Sequence, residues 1–330
     1  MSRSVPKKPE VRAGLLYSVL LLLGLGTRSA HAQAISLLAQ CDSGRAHSCF
    51  ELGIRYDRGE GVREDVARAA IFYQKACDDG LADGCYLVGA AYATGRGLPK
   101  DSARAAMLNQ RGVALEQRAC DSGEAGACSM LGRKYLEGDN VPTDSGRAAI
   151  LFQTACNGGN ADGCLAIGDA YATGQGLPKD SARAATRYQR AAALFQRACE
   201  GGDAVACMSL ARLYAFGSRV PRDSGRAATL YRREAALRER ACAGGKYDAC
   251  VDLAYRYRDG MGVPRDSGRA ATLFQKACDH GDHPSACEDL AKWFLHGSGV
   301  PRDSARAAAL FQRACDGGLT TACSIVKTVH

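Results

Sequence analysis

The sequence has no apolar stretch long enough to cross a bilayer. Its longest run, Leu15 to Leu25, is about 11 residues against the roughly 20 that a transmembrane helix needs. It has no Cys-x2-Cys pair, which argues against structural zinc and thioredoxin-type redox work. No Cys-x-x-Cys-His haem attachment motif and no His-Glu-x-x-His metalloprotease motif occurs. Tryptophan occurs once, as Trp293. The formal charge of +8 is also less than it seems. Residues 1–32 carry a net +4, so the remainder keeps only +4, too little to mark a polyanion binder, and no nucleic-acid partner is expected.

Those first 32 residues read as an address. Basic residues up to Arg12 precede the apolar run, and Ala30-His31-Ala32 supplies small residues at the −3 and −1 positions of a cleavage site. This layout predicts a secretory signal peptide over 1–32. The mature chain then starts near Gln33 with no membrane span, in a periplasmic or extracellular and therefore oxidising compartment.

What the chain has in quantity is cysteine, 16 in all, set in pairs: 41/49, 77/85, 120/128, 156/164, 199/207, 242/250, 278/287 and 315/323. Seven pairs enclose seven residues, and 278/287 encloses eight in a turn enlarged by Pro284. Successive pairs begin 36, 43, 36, 43, 43, 36 and 37 residues apart. The length alone suggests about two domains, but this periodicity overrides it. It predicts one solenoid over 33–330: seven full repeats starting at Cys41, Cys77, Cys120, Cys156, Cys199, Cys242 and Cys278, with a C-terminal cap over 315–330.

From the second cysteine of a pair, offsets 3, 4 and 7 carry an apolar residue, a small one and an aromatic, as in Val88, Gly89 and Tyr92 after Cys85. Those offsets lie on one face of an α-helix. The small residue lets a neighbouring helix approach closely. Gly95 then ends the helix, and Asp101 or Ser102 is placed to cap a second helix that runs to Cys120. Gly95-Arg96-Gly97 is a turn rather than a phosphate loop, because it follows a helix and recurs. The recurrent Asp-Ser-x-Arg, as at 101–104, predicts local capping bonds and an ion pair between repeats. The fold class is all-α, an α/α superhelical solenoid of helix-turn-helix units. The seven residues added in repeats two, four and five are nearly two helical turns. They rotate the buried face by only about 20° and lengthen the second helix by about 10 Å, read here as a projecting decoration.

The run Leu52-Gly53, Tyr56, Gly59, Gly61-Val62, Asp65 and Ala69 resembles the Sel1-like repeat, a relative of the tetratricopeptide repeat. With a Cys-x7-Cys in each unit, the chain looks like the secreted bacterial cysteine-rich (Hcp-type) branch of that family. Helices meeting at a tight turn can bring two cysteines within disulfide reach, and the count is even. The expected bonds are Cys41–Cys49, Cys77–Cys85, Cys120–Cys128, Cys156–Cys164, Cys199–Cys207, Cys242–Cys250, Cys278–Cys287 and Cys315–Cys323, one staple per repeat.

The resemblance implies a binding scaffold whose first helices line a concave groove, taking a protein, a peptide or a cell-wall fragment. It also carries an association with penicillin binding and β-lactam hydrolysis as an alternative. For that chemistry Ser-Asp-Asn and Lys-Thr-Gly are absent. Ser-x-x-Lys occurs only at Ser4/Lys7, in the leader, and at Ser324/Lys327, in the cap. Metal ligation would fall to His280, Asp282 and His283, with His296 beyond, in a turn where solvated histidines are the simpler reading. Neither a metal nor a cofactor is expected. The groove candidates are first-helix residues at offsets 5 and 6: Arg55, Arg133, Lys134, Arg212, Tyr255, Arg256, Lys292 and Trp293. Arg212 and Arg256 are expected to face solvent.

Overall fold

In each 36-residue unit a first helix of 13 residues, a glycine-ended turn and a second helix of 13 residues form an antiparallel hairpin. The computed structural model describes residues 34–59, 62–280 and 283–326, together with the main chain alone at 327–329. The expected signal peptide lies outside the described residues, as do Gly61 of the repeat motif and Asp282. Among the described residues there are sixteen helices and no strands. Helix α1 covers 34–42. The first helices are then α2 (Ala46–Arg58), α4 (Ala82–Thr94), α6 (Ala125–Glu137), α8 (Ala161–Thr173), α10 (Ala204–Phe216), α12 (Tyr247–Asp259), α14 (Pro284–His296) and α16 (Thr320–Val329). Between them run the second helices α3 (Val66–Asp78), α5 (Ser102–Asp121), α7 (Ser145–Asn157), α9 (Ser181–Glu200), α11 (Ser224–Ala243), α13 (Ser267–Asp279) and α15 (Ser304–Asp316). α6 packs directly on α8, whereas no two second helices pack to that extent, so the first helices form the inner wall and the second helices the outer one.

Within a hairpin the register is set by the small residue at offset 4. Twenty residues further on, the second helix presents an aromatic ring to it, except in the second repeat, where Asn109 faces Gly89. A Cβ on Gly53 would lie 2.5 Å from Tyr73, and one on Gly168 would lie 2.5 Å from Tyr188. In the last three full repeats alanine holds this place, and Ala211, Ala254 and Ala291 are fully buried.

Two clips hold each repeat. At one edge all eight expected disulfides are formed, with Cα–Cα distances of 4.4 to 4.8 Å, and no free cysteine remains. At the other edge lies the Asp-Ser-x-Arg motif. Its aspartate caps the second helix, as when Asp101 Oδ1 accepts from the Arg104 N–H at 2.9 Å. Its arginine lies over the offset-7 ring of its own repeat: Arg104 over Tyr92 at 5.4 Å, Arg147 over Tyr135 at 4.6 Å, Arg306 over Phe294 at 5.1 Å. The expected ion pair between repeats forms at one of these motifs, where Arg269 meets Glu239 of the preceding repeat at 2.8 Å while also lying over Tyr257. At Arg104, Arg147 and Arg306 the arginine serves the hairpin that contains it.

The three 20-residue second helices correct a second expectation. Their added turns do not project. Glu116, Phe195 and Arg238, each four residues before its cysteine, are buried, at 4%, 7% and 8% exposure. Because the disulfide fixes the next repeat to the end of the second helix, two more turns shift that repeat by about 10 Å along the helix. An additional layer then forms across the step.

Breaking one staple should cost about 2.6 kcal/mol in the chain-entropy picture for a loop of this size. Denaturant unfolding of a Cys156→Ser/Cys164→Ser double variant measures that cost. Non-reducing peptide mapping should return nearest-neighbour pairs alone, and cross-repeat pairs would overturn the assignment.

Candidate functional site

The stepped layers decide where the groove candidates go. After a 43-residue repeat, offset 6 of the following first helix is drawn beneath the preceding one. It carries Lys134, Leu213 and Arg256 in the three cases. Leu213 and Phe195 belong to one buried apolar cluster, with Leu165 packed against it. The other two layers are polar.

In the first of these, the Lys134 ammonium sits 3.8 Å above the Tyr86 ring, and the Tyr86 hydroxyl donates to Glu116 Oε2 at 2.9 Å. The second Glu116 oxygen is buried without a partner. Burial raises the Glu116 carboxyl above its ordinary value, with Lys134 opposing, and burial beside Glu116 raises the Tyr86 phenol.

In the other, fully buried Glu234 accepts from Arg238 and, at 3.1 Å, from Arg256 Nε, while Arg238 also donates to Asp252. Arg256 is only 8% exposed and reaches Met208. The expectation that Arg256 faces solvent is therefore wrong: the step covers it, and Glu234 neutralises it. Lys134 is likewise folded onto Tyr86, with its side chain 15% exposed.

The other candidates part company. Arg212, Arg133 and Lys292 are exposed, Lys292 pairing with Glu288 at 3.2 Å. Tyr255 donates to Asp289 and meets Phe274 edge-on. Trp293 packs edge-on against Phe274 from the other side, ring centres 5.5 Å apart. Arg133 lines a pocket of about 290 Å³ on the inner wall between α6 and α8, with Asp169 and Ala170 opposite. Asp169 is itself bound by Arg219 at 2.6 Å and by the Tyr188 hydroxyl. Burial, and then the hydrogen bond to Asp169, push the Tyr188 phenol up to about 12.

Arg55 lines a larger space that local sequence gives no sign of. The superhelix brings the turn after α2 against the last disulfide turn, so closely that a Cβ on Gly318 would lie 2.2 Å from the Gly59 carbonyl oxygen. Beside this contact is a cleft of about 870 Å³. The first repeats contribute Glu51, Arg55, Asp57 and Arg96 to it. The later ones contribute Arg238, Lys246, Asp248, Asp252 and His283. Arg55 pairs with Glu51 at 3.0 Å, Arg96 with Asp57 at 3.1 Å, and His283 with Asp248 at 3.4 Å. The walls are a mosaic of both signs. α12 and α14 begin here with no side chain capping their first-turn N–H groups, which leaves backbone donors on the wall.

The Ser324 hydroxyl donates to the Thr320 carbonyl at 3.2 Å, and the Lys327 side chain lies outside the described residues. His280 stacks on Tyr247, centres 4.3 Å apart, and no group of three metal-ligating side chains occurs among the described residues.

The chain matches the family model described as Sel1 repeat over residues 46–81, 82–115, 125–160, 161–203, 204–237, 248–282 and 284–319. Among solved structures it is similar to a protective antigen of uropathogenic Escherichia coli strains with an SLR fold. The identity is 26% over 89% of this chain and 58% of that one, with a TM-score of 0.40. It thus spans 58% of that antigen's length. It is also similar to a Sel1 repeat protein of Oxalobacter formigenes, 25% identical over 71% of this chain and 85% of that one, TM-score 0.39. For Helicobacter pylori cysteine rich protein B the figures are 24%, 42%, 92% and 0.26. At these scores no ligand or partner is carried over from them. No curated protein matches the sequence.

Two measurements test the layers. Arg256→Ala should cost about 1.5–3 kcal/mol, because buried Glu234 loses one of its two guanidinium partners and keeps only Arg238, whereas Arg212→Ala should stay within about 0.5 kcal/mol of wild type in the same unfolding assay. Glu116, with its pKa raised on folding, favours the folded state in acid, and that contribution is lost as pH rises from the ordinary value of 4.5 through the raised one. Glu116→Gln should therefore raise Tm at neutral pH, with the gain shrinking toward about pH 4. A lower Tm at neutral pH would mean that Lys134 fully compensates the carboxylate.

Proposed function

The chain belongs to the Sel1 repeat family, and on that footing we propose that it is an exported, disulfide-stapled scaffold that binds a protein or peptide segment along its inner wall. Sel1 repeats act as protein-interaction modules, and eight disulfides indicate an oxidising, exported environment. No described helix is long and apolar enough to cross a membrane. In this reading residues 1–32 direct export and are removed, so the protein recovered outside the inner membrane begins at Gln33.

The observation that carries the proposal is the cleft at the meeting of the ends. Its 870 Å³ are open, and its walls alternate cations and carboxylates from two parts of the chain that are far apart in sequence. Such a mosaic suits a segment bearing both charges and main-chain acceptors better than a single small anion. Arg133 and Arg212 extend the same inner wall. Arg55 from the first repeat and Lys246 from the sixth both line the cleft. Arg256 and Lys134 act from behind, by holding the steps.

Peptides selected from a random library against the oxidised protein should test this. They should weaken by about tenfold or more on Lys246→Glu or Arg133→Glu, and by less than about twofold on Arg118→Ala at the outer wall. Peptides indifferent to both inner substitutions, or no selectable binder at all, would overturn the reading.

A further inference from the structure

Repeats four and five are the only two consecutive 43-residue units, so α9 and α11 are the only neighbouring pair of 20-residue second helices. α10 packs against both, while α9 and α11 do not pack on each other to a comparable extent. Between them on the outer wall lies a groove of about 1020 Å³. Its floor is apolar: Ala192, Ala193, Val220 and Leu230. The turn that forms one end of it follows Phe216, whose ring is 77% exposed.

We propose that this groove docks an acidic amphipathic helix of a partner protein. Two physical arguments select that occupant. The walls are helices whose main-chain groups are already bonded within themselves, and the floor is alanine, leucine and valine. An extended peptide would therefore bury N–H and C=O groups without partners, while a helix brings its own satisfied backbone. Arg222 and Arg226 stand on the α11 side, and Gln189 and Gln196 on the α9 side. Arg226 is paired with Asp223 at 3.4 Å and lies over the Tyr214 ring, so the uncompensated charge of the groove is Arg222. Arg222 is exposed and has no ion-pair partner among the described residues. Carboxylates along one flank of an incoming helix would meet Arg222 while its apolar stripe covers the floor. The groove shares no lining residue with the cleft and does not rest on the function proposed for that cleft.

A fluorescein-labelled 16-residue helical peptide with a Leu/Ala stripe and glutamate flanks, titrated against the full oxidised protein by anisotropy, is the probe. A peptide with lysine in place of glutamate is the comparison. The glutamate peptide should bind, weaken in about 0.3 M salt, and lose about tenfold or more in affinity on Ala193→Trp, which fills the floor. Arg222→Glu, outside the Asp-Ser-x-Arg motif, should do the same, while Lys246→Glu in the cleft should leave affinity unchanged. No binding, equal binding of the lysine peptide, or indifference to both groove variants would overturn the proposal. Anionic phospholipid vesicles bound in a manner abolished by Ala193→Trp would overturn it in favour of a membrane surface.

Discussion

Everything in this solenoid hangs on where the second helix ends, because that is where a disulfide ties it to the next repeat. The bond allows only a few ångströms between the two Cα atoms. A repeat therefore cannot choose its own height; it starts wherever the preceding cysteine is. Extending a second helix by seven residues keeps the cysteine on nearly the same face and moves it by about two turns. The chain thus converts a change in sequence spacing into a displacement of every repeat that follows.

That displacement has an energetic consequence inside the molecule. Each step opens a layer between successive first helices that must be filled. The middle step is filled with hydrocarbon, through Phe195 and Leu213. The others are filled with charge: Glu116 under Tyr86 and Lys134, and Glu234 between Arg238 and Arg256. Buried ion pairs contribute little net stability against an apolar substitute, but losing one partner is expensive. The polar layers therefore make their steps intolerant of partial change. Their members are fixed by one another rather than by a ligand, and Arg238 carries that fixing outward to Asp252 on the cleft wall.

The same steps shape both faces. On the inside they accompany a superhelix that returns its last disulfide turn to its first glycine turn, with Gly59 and Gly318 allowing the backbones to meet. On the outside two steps in succession leave α9 and α11 flanking an open groove. Both surfaces are products of repeat lengths, and neither depends on a dedicated insertion or loop.

The sequence by itself determined the repeat, its helical hairpin, the eight disulfide pairs and the aspartate caps. Each of these is written in residues close together along the chain, and local spacing suffices to read them. It also held the 43-residue spacings, but not their effect. Helical periodicity assigns a face relative to one neighbour, whereas Arg256 and Lys134 are covered by the helix of a preceding repeat that a step has moved. Arg212 kept its expected exposure because it stands at offset 5, beside the covered Leu213 and not beneath the preceding helix. The arginine of Asp-Ser-x-Arg was recognisable as a motif, but its partner ring lies 12 residues back, for Arg104 and Tyr92, and only the closed turn brings the two together. The cleft between the ends was decided by tertiary structure alone. Its walls come from repeats at the two ends of the chain, and their meeting depends on a superhelical rotation accumulated over every repeat between them. No short stretch of sequence encodes that sum.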